Sequence, residues 1–314
     1  MTSFLKRRTL LLATALGGST VLLQACGGSD DDTPERNIVQ LAQANPDLGI
    51  LVEAVVAAGL VDTLSTGNLT VLAPTNAAFA ALLTELGTTK AALLANVPLL
   101  KAVLSYHVLG QRVRSADVPL GKALVPLGGG FFKIESSNGL KVTDGRNRVA
   151  RITATDLQAS NGVVHVVDRV LLPADKTIVA TAQALPDFSI LVEAVVAAGL
   201  VDTLNGPGPF TVFAPTNAAF AALLGELGVG KEALLANKAL LAQVLTYHVV
   251  PGRVLKAEVP VGAAIKTVQG QTFSVNASLQ ITDQRMRTSQ TTATDVFTSN
   301  GVIHGVDRVL LPAA

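Results

Sequence analysis

The chain has 314 residues and carries 24 Lys and Arg against 23 Asp and Glu, a formal net charge of +1. This balance gives no general positive field, so binding to nucleic acid or acidic lipid is not expected by default. Because 49% of the residues are hydrophobic and only 15% are charged, the chain can bury two sizeable cores beneath a surface poor in charge.

The N-terminal segment has the order of an export signal. A basic patch at residues 6–8 is followed by an apolar stretch over residues 10–23 and by small residues before Cys26. This order is typical of a secretory signal peptide. The apolar stretch is short and interrupted by glycine, which disfavours a retained membrane-spanning anchor. The paired arginines fit twin-arginine export, and a Sec signal fits them nearly as well.

Cys26 is the single cysteine of the chain, so an intramolecular disulfide is excluded. The segment LQAC, which ends at Cys26, resembles the bacterial lipobox, in which the cysteine is acylated; an ordinary cleavage site is the alternative. The lipobox interpretation makes residues 1–26 a signal peptide and residues 27–36 a flexible tether. Acylation predicts anchoring to the bacterial envelope, and Gly27 resembles the outer-membrane sorting pattern.

The remainder of the chain repeats one unit. ILVEAVVAAGLVDTL occurs at residues 50–64 and again, letter for letter, at residues 190–204. A period of roughly 140 residues has the size of a whole domain and is far too long for a solenoid repeat. The sequence therefore predicts two tandem domains, over residues 37–173 and 177–312.

Each unit begins with helical patterns. Apolar residues at three-and-four spacing predict helix over Asp47–Leu64, with Gly59 stopping the first helix. A short strand at residues 69–72 precedes a helix that is capped at its start by a polar residue and closed by Gly87, and a third helix spans Ala91–Leu104. The expected buried stripe of the first helical stretch comprises Leu48, Leu51, Val52, Val55 and Val56. The expected capping residues are Thr75 or Asn76, with Thr216 and Asn217 in the second unit.

The second part of the unit changes its period. Strands are predicted at residues 128–134, 140–143, 149–155 and 163–171, separated by Asn-Gly and Asp-Gly turns. Helices first and strands later favour the α+β class over a doubly wound parallel sheet.

Three ordered motifs in each unit resemble those of fasciclin domains. TVLAPTNAAF from Thr70 and TVFAPTNAAF from Thr211 are similar to the first signature motif, and NGVVHVVDRVLLP and NGVIHGVDRVLLP to the last. A Tyr-His pair represents the central motif: Tyr106-His107 and Tyr247-His248. The resemblance covers nearly all of the chain after the leader. It implies two fasciclin-like domains, each a β-sandwich wedge with a helical layer, as in extracellular and cell-surface adhesion proteins.

The same resemblance gives the Tyr-His pairs a candidate role. In some fasciclin proteins this pair is implicated in integrin-dependent adhesion, which makes Tyr106, His107, Tyr247 and His248 candidate adhesion residues. Both pairs lie in apolar sequence, so packing inside the domain is the favoured alternative.

All four histidines lie in repeated motifs. A metal or acid-base interpretation pairs His107 with His165, and His248 with His304. The sequence has no closely spaced second ligand and no second cysteine, and each histidine is surrounded by valines. Core histidines that donate to backbone carbonyls are therefore favoured, and neither a metal nor a cofactor is expected.

Repeated aspartates are the remaining candidates for chemistry. A carboxylate pair could act on a glycosidic bond, but the chain has no Trp and two Tyr to hold a sugar. It also has no nucleophile elbow, phosphate-binding glycine loop or Cys-x-x-Cys motif, so no enzymatic activity is expected. Asp168 with Arg169, and Asp307 with Arg308, are expected to be local polar partners at a strand end.

The predicted hairpins differ between the units. The first carries Lys133, Lys141, Arg146, Arg148 and Arg151, and the second carries Gln269, Gln271, Asn276, Gln280, Arg285 and Arg287. Different surfaces on one scaffold are expected if the domains present different faces to partners. Neutral drift on solvent-exposed strands is the alternative.

The leading functional hypothesis is a non-enzymatic surface lipoprotein that binds an extracellular polysaccharide or a matrix or cell-surface protein. A short joint at residues 173–177 keeps the two domains together and favours avidity. Binding to nucleic acid is not expected. The alternatives are a periplasmic carrier or sensor of a small apolar ligand, held between helices and sandwich, and a structural envelope component.

Overall fold

The computed structural model describes residues 36–313. The predicted signal peptide, the lipobox with Cys26 and the tether, apart from its last residue, lie outside the described residues. Within the described chain, the two repeats have the same order of helices and strands.

The first repeat has helices α1 (Ile38–Gln43), α2 (Gly49–Ala57), α3 (Val61–Ser65), α4 (Asn76–Leu86), α5 (Lys90–Ala95) and α6 (Val97–Tyr106). Its strands are β1 (Leu69–Pro74), β2 (Val108–Leu109), β3 (Ala123–Leu124), β4 (Phe132–Ser136), β5 (Leu140–Thr143), β6 (Val149–Ala159) and β7 (Gly162–Val167).

The second repeat has helices α7 (Ile178–Gln183), α8 (Ser189–Ala197), α9 (Val201–Asn205), α10 (Asn217–Leu227), α11 (Lys231–Ala236) and α12 (Lys238–Tyr247). Its strands are β8 (Phe210–Pro215), β9 (Val249–Pro251), β10 (Ala264–Lys266), β11 (Thr272–Val275), β12 (Gln280–Thr282), β13 (Thr288–Thr298) and β14 (Gly301–Val306). Short 3-10 turns lie at Pro46–Leu48, Ser115–Asp117, Pro186–Phe188 and Lys256–Glu258.

Each repeat forms one mixed sheet of seven strands. In the first repeat the strand order is β2-β1-β7-β6-β5-β4-β3, with β1 and β7 parallel and the other neighbours antiparallel. The long strand β6 pairs with β5 through its first residues and with β7 through its later ones, with register shifts between residues 152 and 157. Because bulges bend a strand, the sheet divides at β6 into the two parts of the sandwich.

Two cores follow from the alternation of side chains along β1. Val71 and Ala73 belong to the core beneath the helices, whereas Leu72, between them, belongs to the core that includes Phe132 and Val142. Successive strand residues point to opposite faces, so β1 contributes to both cores. The predicted α+β architecture, with a helical layer on a divided sheet, is confirmed.

The helical predictions needed two corrections. Gly59, with φ of 66°, follows the end of α2 as expected, but Val56 is 58% exposed and does not join the buried stripe. The third predicted helix is two helices, α5 and α6, because Asn96 leaves the helical conformation and its side chain accepts a hydrogen bond from Leu99 N–H at 3.2 Å. An asparagine at such a position caps the new helix.

The two residues of the Thr-Asn pair in the first motif make different hydrogen bonds. Thr75 caps α4 by accepting from Ala78 N–H at 3.1 Å. Asn76 accepts from Ile50 N–H at 2.8 Å and donates to the Pro46 carbonyl at 2.9 Å. Thr216 and Asn217 make the equivalent bonds in the second repeat. The asparagine therefore ties the start of one helix to the turn before another.

Replacing Asn76 with alanine is expected to lower the free energy of unfolding by about 1–3 kcal/mol, because it removes the partner of the partly buried Ile50 N–H and of the more exposed Pro46 carbonyl. Urea denaturation followed by circular dichroism measures the change. Thr84→Ala on the exposed face of α4 serves as the control. A loss for Asn76→Ala no larger than that of the control would contradict the tying role.

Candidate functional site

Both Tyr-His pairs are buried. The Tyr106 hydroxyl donates to the Phe131 carbonyl, and the Tyr247 hydroxyl donates to the Thr272 carbonyl at 2.8 Å. Tyr106 and Tyr247 are 0% exposed. In this conformation the pairs offer no surface to a partner, and each tyrosine anchors the start of its repeat's central hairpin.

The histidine of each pair joins helix to strand end. His107 Nε2 accepts from Leu171 N–H at 2.8 Å, so Nδ1 carries the proton and donates to the Val103 carbonyl at 2.7 Å. His248 makes the same two bonds, with Leu310 and Val244. Burial lowers the pKa of both histidines to about 4 and raises the pKa of Tyr247 to about 12. These imidazoles are therefore neutral near pH 7.

The other two histidines have the opposite tautomer. His165 Nε2 donates to the Val113 carbonyl at 2.9 Å, and Nδ1 accepts from Asp156 N–H at 3.2 Å. His304 bonds Val254 and Asp295 in the same way, and burial lowers its pKa. Both ring nitrogens of every histidine are thus engaged by backbone groups. Across residues 36–313, no three His, Cys, Asp or Glu side chains are grouped as metal ligands.

The aspartates of the last motif do not pair with the arginines that follow them. Asp168 Oδ1 accepts from Arg151 N–H, and Asp307 Oδ1 accepts from Gln290 N–H, both at 2.7 Å. The expected pair Asp168–Arg169 is therefore wrong, and so is Asp307–Arg308. Each aspartate follows the end of its strand, and its carboxylate bonds the backbone of the adjacent strand instead, β6 for Asp168 and β13 for Asp307.

The two repeats contact each other at a surface that we call the domain interface. Two aromatic rings form its centre. The rings of Phe131 and Phe297 lie 4.6 Å apart, and the Arg253 guanidinium lies 4.3 Å above the Phe131 ring. Leu255 and Val302 complete this buried cluster. Phe131 belongs to the first repeat and the other residues to the second, so the cluster is a small core shared between domains.

A buried ion pair crosses the domain interface next to this cluster. Lys133 Nζ lies 2.8 Å from Asp295 Oδ2 and 2.9 Å from Glu135 Oε1. The side chains of Lys133 and Asp295 are 9% and 2% exposed. Burial acts to lower the pKa of Lys133, but its hydrogen bonds to the two carboxylates outweigh this and raise it. Because the pair is so poorly solvated, removing either partner would leave an uncompensated buried charge and would destabilise the protein.

The side chain of an asparagine in the first domain bonds the backbone of the second domain. Asn147 donates through Nδ2 to the Phe297 carbonyl at 3.0 Å and accepts through Oδ1 from Phe297 N–H at 2.6 Å. A further bond runs from Ala123 N–H to Glu258 Oε1 at 3.2 Å. These directional contacts fix the register of the two domains as well as their proximity.

The repeats differ at the positions that make these contacts. The equivalents of Phe131, Lys133 and Asn147 in the second repeat are Thr272, Ser274 and Met286. The equivalents of Leu255 and Phe297 in the first repeat are Arg114 and Gln158. The residues that form the domain interface are therefore present on one face of the first repeat and on the opposing face of the second. The equivalent face at the other side of each repeat is polar or lacks the aromatic contact.

The sequence places Lys133 among the charged residues of the first predicted hairpin, a hairpin that it assigns to the solvent-exposed surface. Lys133 is instead buried against Asp295 of the second domain. Phe131, Asn147 and Phe297 were missed altogether. A position-by-position comparison of the repeats carries part of the signal, since Phe131 and Lys133 stand where the second repeat has the shorter Thr272 and Ser274.

Each helical core also contains a small apolar cavity. One cavity of about 30 Å³ is lined by residues such as Leu51, Val55 and His107, and the second repeat has an equivalent of the same size. A volume of this order accommodates about one water molecule, whereas ligand pockets are usually larger by at least tenfold. Neither cavity supports the carrier hypothesis. Of the helices within residues 36–313, none has the length and apolarity to cross a membrane.

A model of the fasciclin domain matches residues 46–173 and 186–312. Protein sll1483 of Synechocystis sp. is 43% identical over 150 residues, which cover 47% of this chain and 79% of that protein. Transforming growth factor-beta-induced protein ig-h3 of Sus scrofa is 31% identical over 283 residues, which cover 89% of this chain and 38% of that protein.

Among solved structures, the chain is similar to a FAS1 domain pair from the insect cell adhesion molecule fasciclin I, with a TM-score of 0.43 and 18% identity. That likeness covers 85% of this chain and 98% of the fasciclin I chain. The family match, in contrast, includes all the motifs described above and both sheets. The chain belongs to the fasciclin family and carries two fasciclin domains in tandem.

Proposed function

We propose that this chain is an exported protein, anchored to the bacterial envelope by lipid at Cys26, that mediates adhesion or binds an extracellular ligand. Fasciclin domains are typical of non-enzymatic adhesion and extracellular proteins. The partner we propose is an extracellular polysaccharide or a matrix or cell-surface protein. The outer membrane is the proposed site of anchoring, on the basis of Gly27 after the cysteine.

The domain interface is the observation that carries this proposal. The shared aromatic cluster and the buried Lys133–Asp295 pair join the two domains into one body. A binding protein gains from such an arrangement, because a preorganised surface loses less conformational entropy when it meets its partner. The buried histidines and tyrosines have backbone partners, which fits a scaffold role for these residues.

A composite binding unit differs from two independent sites on a flexible string. If both domains contact one ligand, the fixed spacing sets which ligands can engage them together. Deleting one domain is then expected to reduce binding far more than halving the number of sites. The avidity hypothesis and the composite unit share this expectation, but they differ in the effect of loosening the interface.

The test compares binding of soluble protein to whole cells and to a panel of extracellular polysaccharides and matrix proteins. The soluble form begins at Gly27, which removes the lipid and keeps every described residue. We expect saturable binding that weakens about tenfold or more when Lys133→Ala loosens the interface. Ser274→Ala, at the matched position of the second repeat, should leave binding unchanged.

Two outcomes of this comparison count against the proposal. If the soluble form binds none of the surfaces tested, adhesion and ligand binding are contradicted. If binding is saturable but Lys133→Ala has no effect on it, each domain binds alone and the composite unit is wrong.

A further inference from the structure

A cleft of about 820 Å³ lies beside the domain interface. One wall comes from β4 and the turn between β5 and β6, and the other from α7 and β13, with the joint at residues 174–176 between them. Ligand pockets commonly have volumes of about 300–1,000 Å³. Since both domains supply its walls, the cleft exists only in the assembled pair, and the interface contacts hold it open.

The lining of the cleft is more basic than the chain as a whole. Six charged side chains line it, four of them basic and two acidic: Lys133, Arg146, Arg148 and Lys176, with Asp175 and Asp295. The whole chain, in contrast, has a net charge of +1. Basic groups in a concave site concentrate anionic ligands there.

Two of the four basic groups are already committed to buried carboxylates. Lys133 pairs with Asp295, and Arg148 lies 2.7 Å from the fully buried Asp144. These pairs hold the walls in place. They leave Arg146 and Lys176 as the groups that a ligand can recruit.

The environments of Arg146 and Lys176 support that role. Arg146 pairs with Asp175 at 2.9 Å, but the two side chains are 35% and 51% exposed, and such exposed pairs contribute little. Lys176 makes no ion pair within residues 36–313. Its backbone carbonyl accepts from Ser299 N–H at 2.8 Å, which fixes where its side chain begins.

We propose that this cleft binds an acidic oligosaccharide, a chain of uronate sugars, through Arg146 and Lys176. The inference rests on the proposed function, to which it adds a ligand class and a site. The planar guanidinium of Arg146 matches a carboxylate in two-point geometry, and the ammonium of Lys176 supplies a second charge.

The remaining lining fits the rest of a sugar chain. The lining includes the hydroxyl-bearing residues Thr143, Thr181 and Thr294 and the apolar residues Leu185 and Val296. A sugar ring has hydroxyls at its edge and C–H groups on its faces, so a mixed lining of this kind suits it. An acidic peptide would offer the same carboxylates but without the ring hydroxyls.

The experiment measures binding of an oligogalacturonate to the chain from Gly27 onward by isothermal titration calorimetry. We expect the dissociation constant to rise about tenfold for Arg146→Ser and about a hundredfold for Arg146→Ser with Lys176→Ser, because each charged hydrogen bond is lost. Arg285→Ser, the matched residue of the second repeat, should bind like the unmodified chain. A neutral oligosaccharide of equal length and a poly-glutamate peptide serve as comparison ligands.

Absence of oligogalacturonate binding, or equal binding by the double variant, overturns the inference. Equal or tighter binding of the neutral sugar or the peptide overturns the ligand class. The whole-cell assay separates this failure from that of the proposed function. If the double variant still binds cells as the unmodified chain does, the cleft assignment fails while adhesion stands.

Discussion

Lys133→Ala is expected to lower the free energy of unfolding by about 3–5 kcal/mol. The substitution removes the cation from a pair in which Asp295 is 2% exposed, and the carboxylate has no other cationic partner within residues 36–313. An uncompensated buried charge costs more than the pair contributed. Urea denaturation measures the loss, and circular dichroism of the folded variant shows whether the chain as a whole keeps its secondary structure.

Two further variants isolate the cause of this loss. Ser274→Ala changes the matched position of the second repeat, where no ion pair forms, and is expected to alter stability by less than about 0.5 kcal/mol. Lys133→Ala combined with Asp295→Ala removes both charges and should recover part of the loss, limited by the bond from Lys256 N–H to Asp295. A double variant less stable than Lys133→Ala would contradict the buried-charge explanation.

Acid is expected to destabilise the chain as the pH falls from about 6.5 to about 4. Burial holds the pKa of His107 and His248 at about 4 in the folded state, against about 6.5 in an unfolded chain. Within this window the unfolded chain binds protons that the folded chain does not. Above about pH 6.5 these histidines do not reduce the free energy of unfolding. As the pH falls to about 4, the free energy of unfolding declines by about 3 kcal/mol per histidine.

The pH dependence is measured by urea denaturation at several pH values for the unmodified chain and for His107→Gln. Glutamine cannot be protonated, so the variant should lose about half of the decline that the two histidines cause. Comparison between the two proteins removes the contribution of carboxylates, which titrate in both. Parallel pH curves for the variant and the unmodified chain would show that His107 is not the source.

The family motifs made the fold predictable because their residues act locally or within one domain. Thr75 caps the helix that follows it, and Gly59 ends a helix with a positive φ. The alternating side chains of β1 pack into two different cores. These effects depend on near neighbours and periodicity, which a sequence displays directly. The break at Asn96 was missed because the helical pattern continues across it.

The domain interface was not predictable in the same way. Lys133 lies in a charged hairpin of a kind that is usually solvated, and its partner Asp295 is 162 residues away. The local sequence around neither residue predicts burial, because only the packing of the two folded domains removes both side chains from water. The Tyr-His pair shows the converse, because a motif associated with adhesion holds side chains that pack inside each domain.

The most direct test of the account is backbone 15N relaxation, because it reports whether the two domains move as one body. We predict one rotational correlation time for amides of both domains in the chain from Gly27 onward, and shorter, unequal times when Lys133→Ala and Phe297→Ala disrupt the interface. If the domains of the unmodified chain already tumble independently, the interface does not hold them and the composite binding unit is contradicted.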